Sequence, residues 1–440
     1  MGSAARSARS AGQAEPWGWG PTALARKVPV GIRRLPRTEE IFVLGGVGAL
    51  VGAAISLVRW RALLLEYFYF TPLLALTHLV TLGFLSSLMM GMLYRLAPML
   101  LGVEARSRRL AALQLVLFLV GAWGMISHFW MAESIGMSWS AGLVWAASVV
   151  QLVNFRGLFQ SSSKSPWARR FVASSLVYFF LAASLGLVLA LAKAYDVRPS
   201  FLAERHLANV FAHSHLAGVG WVLSMIFGFQ LKLVPTTEGN PSSLPYRFAL
   251  LHLGTLGLAG ALLLEKSPAP FALALALVCG WQALGPATAF VRGRAREWEL
   301  LGLVLLVLTA ILGLALALGW PEESSPARGR AQLAYGFLGL FGFMALTVVT
   351  VAFKLFPIFV WKERFQPEFG TRPVPGMKDL PSQPLRIGAN VATFAGSLGT
   401  AVAIFYASPG LLTLSTTVLA MGIGAFVANL FLVVRWTFLN

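Results

Sequence analysis

The sequence has too few charged residues to cover the surface of a water-soluble protein. Only 12% of its 440 residues are Asp, Glu, Lys or Arg, whereas 57% are hydrophobic, and the mean hydropathy is +0.72. A soluble domain carries about a quarter charged residues, so lipid must be the main solvent of this chain. Cysteine is almost absent as well: Cys279 is the single one. A disulfide framework and a Cys-x-x-Cys-His motif are therefore excluded.

Acidic residues are also scarce, with 17 Asp and Glu against 35 Lys and Arg, which gives a formal net charge of +18. Such an excess could indicate a nucleic-acid partner, but the placement of the basic residues indicates a membrane. With the N-terminus inside, the inner segments carry 27 Lys and Arg and the outer loops carry 8. This asymmetry follows the positive-inside rule. It predicts a multi-pass protein of the bacterial inner (cytoplasmic) membrane with both termini cytoplasmic, in contact with membrane lipids and without nucleic acid.

Apolar runs of about 20 residues, each long enough to cross a bilayer as a helix, recur along the chain. They predict an all-α integral membrane fold with twelve transmembrane helices. A basic cytoplasmic N-terminal tail, residues 1–38, precedes a single transmembrane domain, residues 39–437. The predicted spans, numbered 1 to 12, are residues 40–59, 68–98, 110–131, 134–155, 171–193, 206–234, 246–264, 270–290, 299–319, 333–357, 387–406 and 411–434.

Spans 2, 6 and 10 share a pattern when residues are counted back from Pro98, Pro235 and Pro357. Each has a basic residue at position −3, Leu at −2, an aromatic residue at −14 and Gly at −15. Four agreements in three copies predict three pseudo-repeated four-helix units, at approximately 39–160, 165–292 and 298–437. The prolines are expected to end their helices.

All six histidines lie in spans or at their edges, where an ionisable residue needs a partner. His78 and His215 both occupy position −20, about 30 Å from the proline end, so we expect them at one depth. Two imidazoles at one level suit axial ligation of a haem iron. The alternatives are hydrogen bonds between helices and a proton path. His213 points about 200° away from His215, so it would serve a second centre or bond to a neighbour such as Tyr335.

His128 and His206 lie near the outer ends of their spans, within reach of the same layer. They are secondary candidates for ligands, and a structural role is favoured for both. His252 lies only about 10 Å from the inner end of span 7, so it is not expected to share a metal with His213 or His215.

The histidine-bearing segments His78–Gly83 and His213–Gly220, together with twelve spans in three units, resemble subunit I of the haem-copper oxidase and nitric oxide reductase superfamily. NnrS-type membrane proteins are similar too. The resemblance implies that His78 and His215 hold a low-spin haem b and that His213 holds a high-spin haem. That superfamily carries its His-x-His in span 10, whereas here it lies in span 6, and the adjacent histidine pair of the copper site is absent. A copper centre is therefore not expected.

These observations predict a haem-binding membrane protein that acts in electron transfer or in redox chemistry linked to nitric oxide or oxygen. If it is an enzyme, it is an oxidoreductase, and its expected partners are respiratory or cytochrome subunits. Two alternatives stay open. One is a proton or solute transporter, although transporters favour two inverted repeats. The other is a degenerate structural subunit of a respiratory complex.

Overall fold

The described part of the chain is a bundle of long helices. The computed structural model describes residues 37–160, 166–196, 206–234, 240–292 and 297–437, and every regular element in these ranges is helical. Twelve helices are long and apolar enough to cross a bilayer, which confirms the all-α fold with twelve spans. Spans 1 to 12 are Thr38–Arg59, Thr71–Leu101, Arg108–Trp130, Ser134–Asn154, Pro166–Tyr195, His206–Leu233, Pro241–Leu263, Ala269–Val291, Leu300–Ala317, Pro326–Arg364, Gln383–Phe405 and Pro409–Thr437.

The prediction that the repeated prolines end their helices is wrong for the two that the structure describes. Pro357 lies inside the helix Leu346–Arg364, and after Pro98 the helix continues to Leu101. Pro235 and most of the predicted tail 1–38 lie outside the described residues. A proline removes one backbone donor, but surrounding helices can hold the chain in a helical path beyond it.

Spans 2, 6 and 10 form the centre of the bundle. In their most apolar 18-residue windows, 72%, 72% and 67% of the residues are buried, against 28% to 50% in the other nine spans. Those nine contact one another in the order 1, 3, 4, 5, 7, 8, 9, 11, 12, and span 12 packs back against span 1. The three helices that share the sequence pattern are thus enclosed by a continuous ring.

Each central helix contains an eight-residue π-helical segment at the same place in the sequence pattern. All three segments begin 19 residues before the repeated proline. They contact one another in pairs at the centre of the bundle. The segments are Leu79–Ser86 in span 2, Leu216–Leu223 in span 6 and Leu338–Ala345 in span 10.

Serine side chains bond to backbone carbonyls in two of the π-helical segments. The Ser87 hydroxyl donates to the Leu82 carbonyl (3.1 Å), and the Ser224 hydroxyl donates to the Val219 carbonyl (3.5 Å). Both serines stand 11 residues before the repeated proline and bond five residues back. In a bilayer no water is present to satisfy these groups, so the hydroxyls stabilise the π-helical backbone.

The repeated glycines at position −15 all lie where the preceding span packs closely. A β-carbon added at Gly83 would come within 2.9 Å of Ala49 in span 1, at Gly220 within 2.6 Å of the Tyr178 ring in span 5, and at Gly342 within 3.3 Å of Leu305 in span 9. Small residues permit such close helix contacts in membranes. These matched contacts agree with the repeat, and the division of the domain into three four-helix units stays a prediction.

Candidate functional site

His78 and His215 are the last α-helical residues before the π-helical segments of spans 2 and 6. The corresponding residue of span 10 is Phe337. π-helical turns are rare and occur frequently at functional sites, because the widened turn redirects the side chains beside it. Both histidines therefore stand where the backbone geometry changes.

The two imidazoles have the same local geometry. The Nδ1 atom of His78 lies 2.8 Å from the Leu74 carbonyl oxygen, and that of His215 lies 2.7 Å from the Phe211 carbonyl oxygen, four residues back in each case. A carbonyl only accepts hydrogen bonds, so Nδ1 must carry the proton and donate. The unprotonated Nε2 is then the atom able to bind a metal.

His213 lies on another side of span 6 and packs against span 5. Its Nδ1 atom donates to the Ala182 carbonyl oxygen at 2.9 Å, and its ring lies against Gly186, where a β-carbon would come within 2.8 Å of Cε1. The neighbour to which His213 bonds is thus the Ala182 carbonyl and not Tyr335, whose hydroxyl lies 3.1 Å from Nε2 of His215.

Each of the three imidazoles contacts a different neighbouring span: span 3 for His78, span 5 for His213 and span 10 for His215. The His78 ring stacks on Phe129 with centroids 4.6 Å apart, and the His215 ring stacks on Tyr335 at 5.9 Å. His78 thus resembles His215 both in its hydrogen bond to a backbone carbonyl and in having one stacked aromatic neighbour.

The donor chemistry of this region fits the haem that the resemblance implies. Imidazole is a usual axial ligand of haem iron, and metal-bound histidines almost always donate their other ring N–H to a carbonyl or carboxylate. His78, His213 and His215 all do so, each to a backbone carbonyl. His215 would have to exchange its contact with Tyr335 for iron.

The two secondary candidates have partners of a different kind. His128 lies 3.0 Å from the Glu133 carboxylate at the end of span 3, and His206 bonds to the Tyr69 hydroxyl. The centroid of the His252 ring lies 3.9 Å from that of the Phe248 ring. The two buried ring nitrogens of His252 form no hydrogen bond with the described residues. Within the described ranges, no group of three or more His, Cys, Asp or Glu could hold a metal ion.

Tyr335 and Trp221 are the residues of this region whose contacts the sequence did not reveal. Tyr335 stands 22 residues before Pro357, the position that His213 occupies relative to Pro235, and this match was a usable signal. Trp221 donates from Nε1 to the Ser86 hydroxyl at 3.0 Å and so joins the π-helical segments of spans 2 and 6.

No protein-family model matches the chain, and no curated protein matches it.

Proposed function

We propose that this chain is an integral membrane protein that binds haem b and acts in electron transfer, or in redox chemistry linked to nitric oxide or oxygen, without a complete copper site. His78 and His215 would hold one haem iron, and His213 would serve a second centre. When bound, the haem would supply a one-electron redox centre within the membrane. Respiratory or cytochrome subunits are the proposed partners, and any enzymatic activity would be that of an oxidoreductase.

One observation carries this proposal: the Nδ1 atoms of His78, His213 and His215 lie 2.8, 2.9 and 2.7 Å from backbone carbonyl oxygens. This arrangement fixes each ring and leaves Nε2 as the basic nitrogen. The other three histidines have printed contacts of other kinds among the described residues: His128 lies beside a carboxylate, His206 bonds a phenol, and the ring nitrogens of His252 have no hydrogen-bond partner there.

We expect the protein, purified from haem-replete cells, to show b-type absorbance equivalent to about one low-spin haem per chain. Absorbance spectroscopy in the oxidised and reduced states, with a pyridine haemochrome assay, measures both the type and the amount. A preparation that is folded by circular dichroism yet colourless would defeat the proposal.

We propose that the protein lies in the bacterial inner membrane with both termini in the cytoplasm, because 27 of the basic residues fall on that side and 8 on the other. Reporter fusions after residues 165 and 375 are expected to report the cytoplasm, and a fusion after residue 325 the outside. The opposite pattern would invert the orientation and place the histidines near the cytoplasmic side.

A proton-conducting protein is the second candidate function, and the histidine–tyrosine pairs favour it. His215 lies 3.1 Å from the Tyr335 hydroxyl, and His206 bonds to Tyr69, so both pairs can pass a proton without a metal. In this case, liposomes containing the colourless protein would conduct protons, and Tyr335→Phe would abolish the flux. If the haem proposal is correct, the purified protein would instead be coloured.

A further inference from the structure

An open groove lies on the surface of the bundle between spans 1 and 12. Its volume is about 660 Å³. Two of its apolar residues are well exposed, Ile55 at 59% and Val58 at 40%, so this wall faces the surrounding lipid. The groove is lined by Ala54, Ile55, Val58, Arg59, Arg61 and Ala420.

Two arginines stand at one end of the groove. Arg61 donates from Nε to the Thr413 hydroxyl (2.9 Å) and from Nη1 to the Val58 carbonyl (2.8 Å), which holds its guanidinium between spans 1 and 12. Arg59 lies over the Trp60 ring at 6.0 Å. Neither arginine forms an ion pair within the described residues. Both keep N–H donors for a further anion, because a guanidinium has five.

The groove begins at the membrane surface and extends part of the way into one leaflet. Arg59 ends span 1, and Trp60 pairs with Trp130 at 4.9 Å, as aromatic residues do at the membrane surface. Ala54 lies five residues before Arg59, and Ala420 lies seven residues after Thr413. At 1.5 Å per residue, the apolar wall extends about 7 to 10 Å below the arginines, toward the bilayer centre.

We propose that this groove is a specific binding site for an anionic phospholipid. The two guanidinium groups would bind the phosphate, for which their planar donor pairs are suited, and the apolar wall would hold the upper part of an acyl chain. The occupant is a bilayer lipid rather than a soluble phosphate compound, because the groove opens to lipid along its length. This site is independent of the haem proposal.

Native mass spectrometry of the purified full chain tests the site, with phosphatidylglycerol and phosphatidylcholine of the same acyl chains as probes. We expect one phosphatidylglycerol to bind more tightly than phosphatidylcholine. The double variant Arg59→Gln/Arg61→Gln should weaken phosphatidylglycerol about thirtyfold. The matched control is Arg108→Gln/Arg109→Gln, which removes two exposed arginines at the start of span 3 and should leave binding unchanged.

A second variant, Ala420→Phe, fills the groove without a change of charge and is expected to displace the same lipid. Circular dichroism identifies a variant that fails to fold. In that case the proposal is tested by whether the wild-type protein binds phosphatidylglycerol more tightly than phosphatidylcholine. Equal binding of both lipids by the wild type would overturn the proposal. Undiminished phosphatidylglycerol binding by the folded double arginine variant or by folded Ala420→Phe would overturn it too.

Discussion

Replacing His215 by alanine is expected to abolish the low-spin haem absorbance of the purified protein. Loss of one axial ligand leaves the iron five-coordinate or empties the site, and His78→Ala should have the same effect. His213→Ala should keep the low-spin spectrum, because His213 points to another side of span 6 and bonds to the Ala182 carbonyl. The His213→Ala variant should alter only a high-spin component of the spectrum or the catalytic turnover.

His252→Ala is the matched control, since it removes another span histidine that lacks a carbonyl-bound ring nitrogen. It should leave the spectrum unchanged. A different result would change the assignment of the axial ligands. If His213→Ala removes the low-spin haem and His215→Ala does not, the axial pair is His78 with His213. If none of these variants changes a haem signal, the histidines belong to a hydrogen-bond or proton network.

The largest effect on stability is expected for Gly396→Ala in span 11. A β-carbon there would come within 2.5 Å of the Leu419 backbone nitrogen and 2.6 Å of its Cα in span 12. Backbone cannot move aside as a flexible side chain does, so spans 11 and 12 would have to separate. Overpacking of this kind typically costs 1 to 3 kcal/mol, about 2 kcal/mol here.

Gly388→Ala is the control for this substitution, because it lies in the same helix and a β-carbon there would meet nothing within 4 Å. It should stabilise the helix by about 0.5 to 1 kcal/mol. Thermal unfolding of the detergent-solubilised proteins, followed by circular dichroism, compares the two. The close contact of spans 11 and 12 would be refuted if Gly396→Ala melted at or above the temperature of Gly388→Ala.

The twelve spans could be predicted because each is a long apolar run, and lipid permits few alternatives to a helix. The ends of span 10 could not be predicted in the same way. Its helix covers Pro326–Arg364, whereas the apolar run covers 333–357, because polar residues such as Arg328 and Lys362 continue the helix. Hydropathy therefore located the membrane core of this helix and missed its polar ends.

For the candidate site, the sequence pattern placed His78 and His215 at matching positions, and both do precede a π-helical segment. It could not show which side chains meet them. The contact of His215 with Tyr335 depends on how spans 6 and 10 pack, and no spacing within one helix encodes that. The π-helical segments also change the angle between residues on either side, which a regular-helix calculation omits.

The shared π-helical segments also bear on the ancestry of the chain. A π-helical turn holds more residues than an α-helical turn, so the insertion of one residue into an α-helix produces such a turn. If the three units descend from one ancestral four-helix protein, that protein already carried the insertion before its gene was duplicated. Otherwise three separate insertions at one position would be required. Losing one residue from such a segment would rotate His78 by about 100° relative to Arg95, so selection to preserve the direction of the histidines would also preserve the insertion.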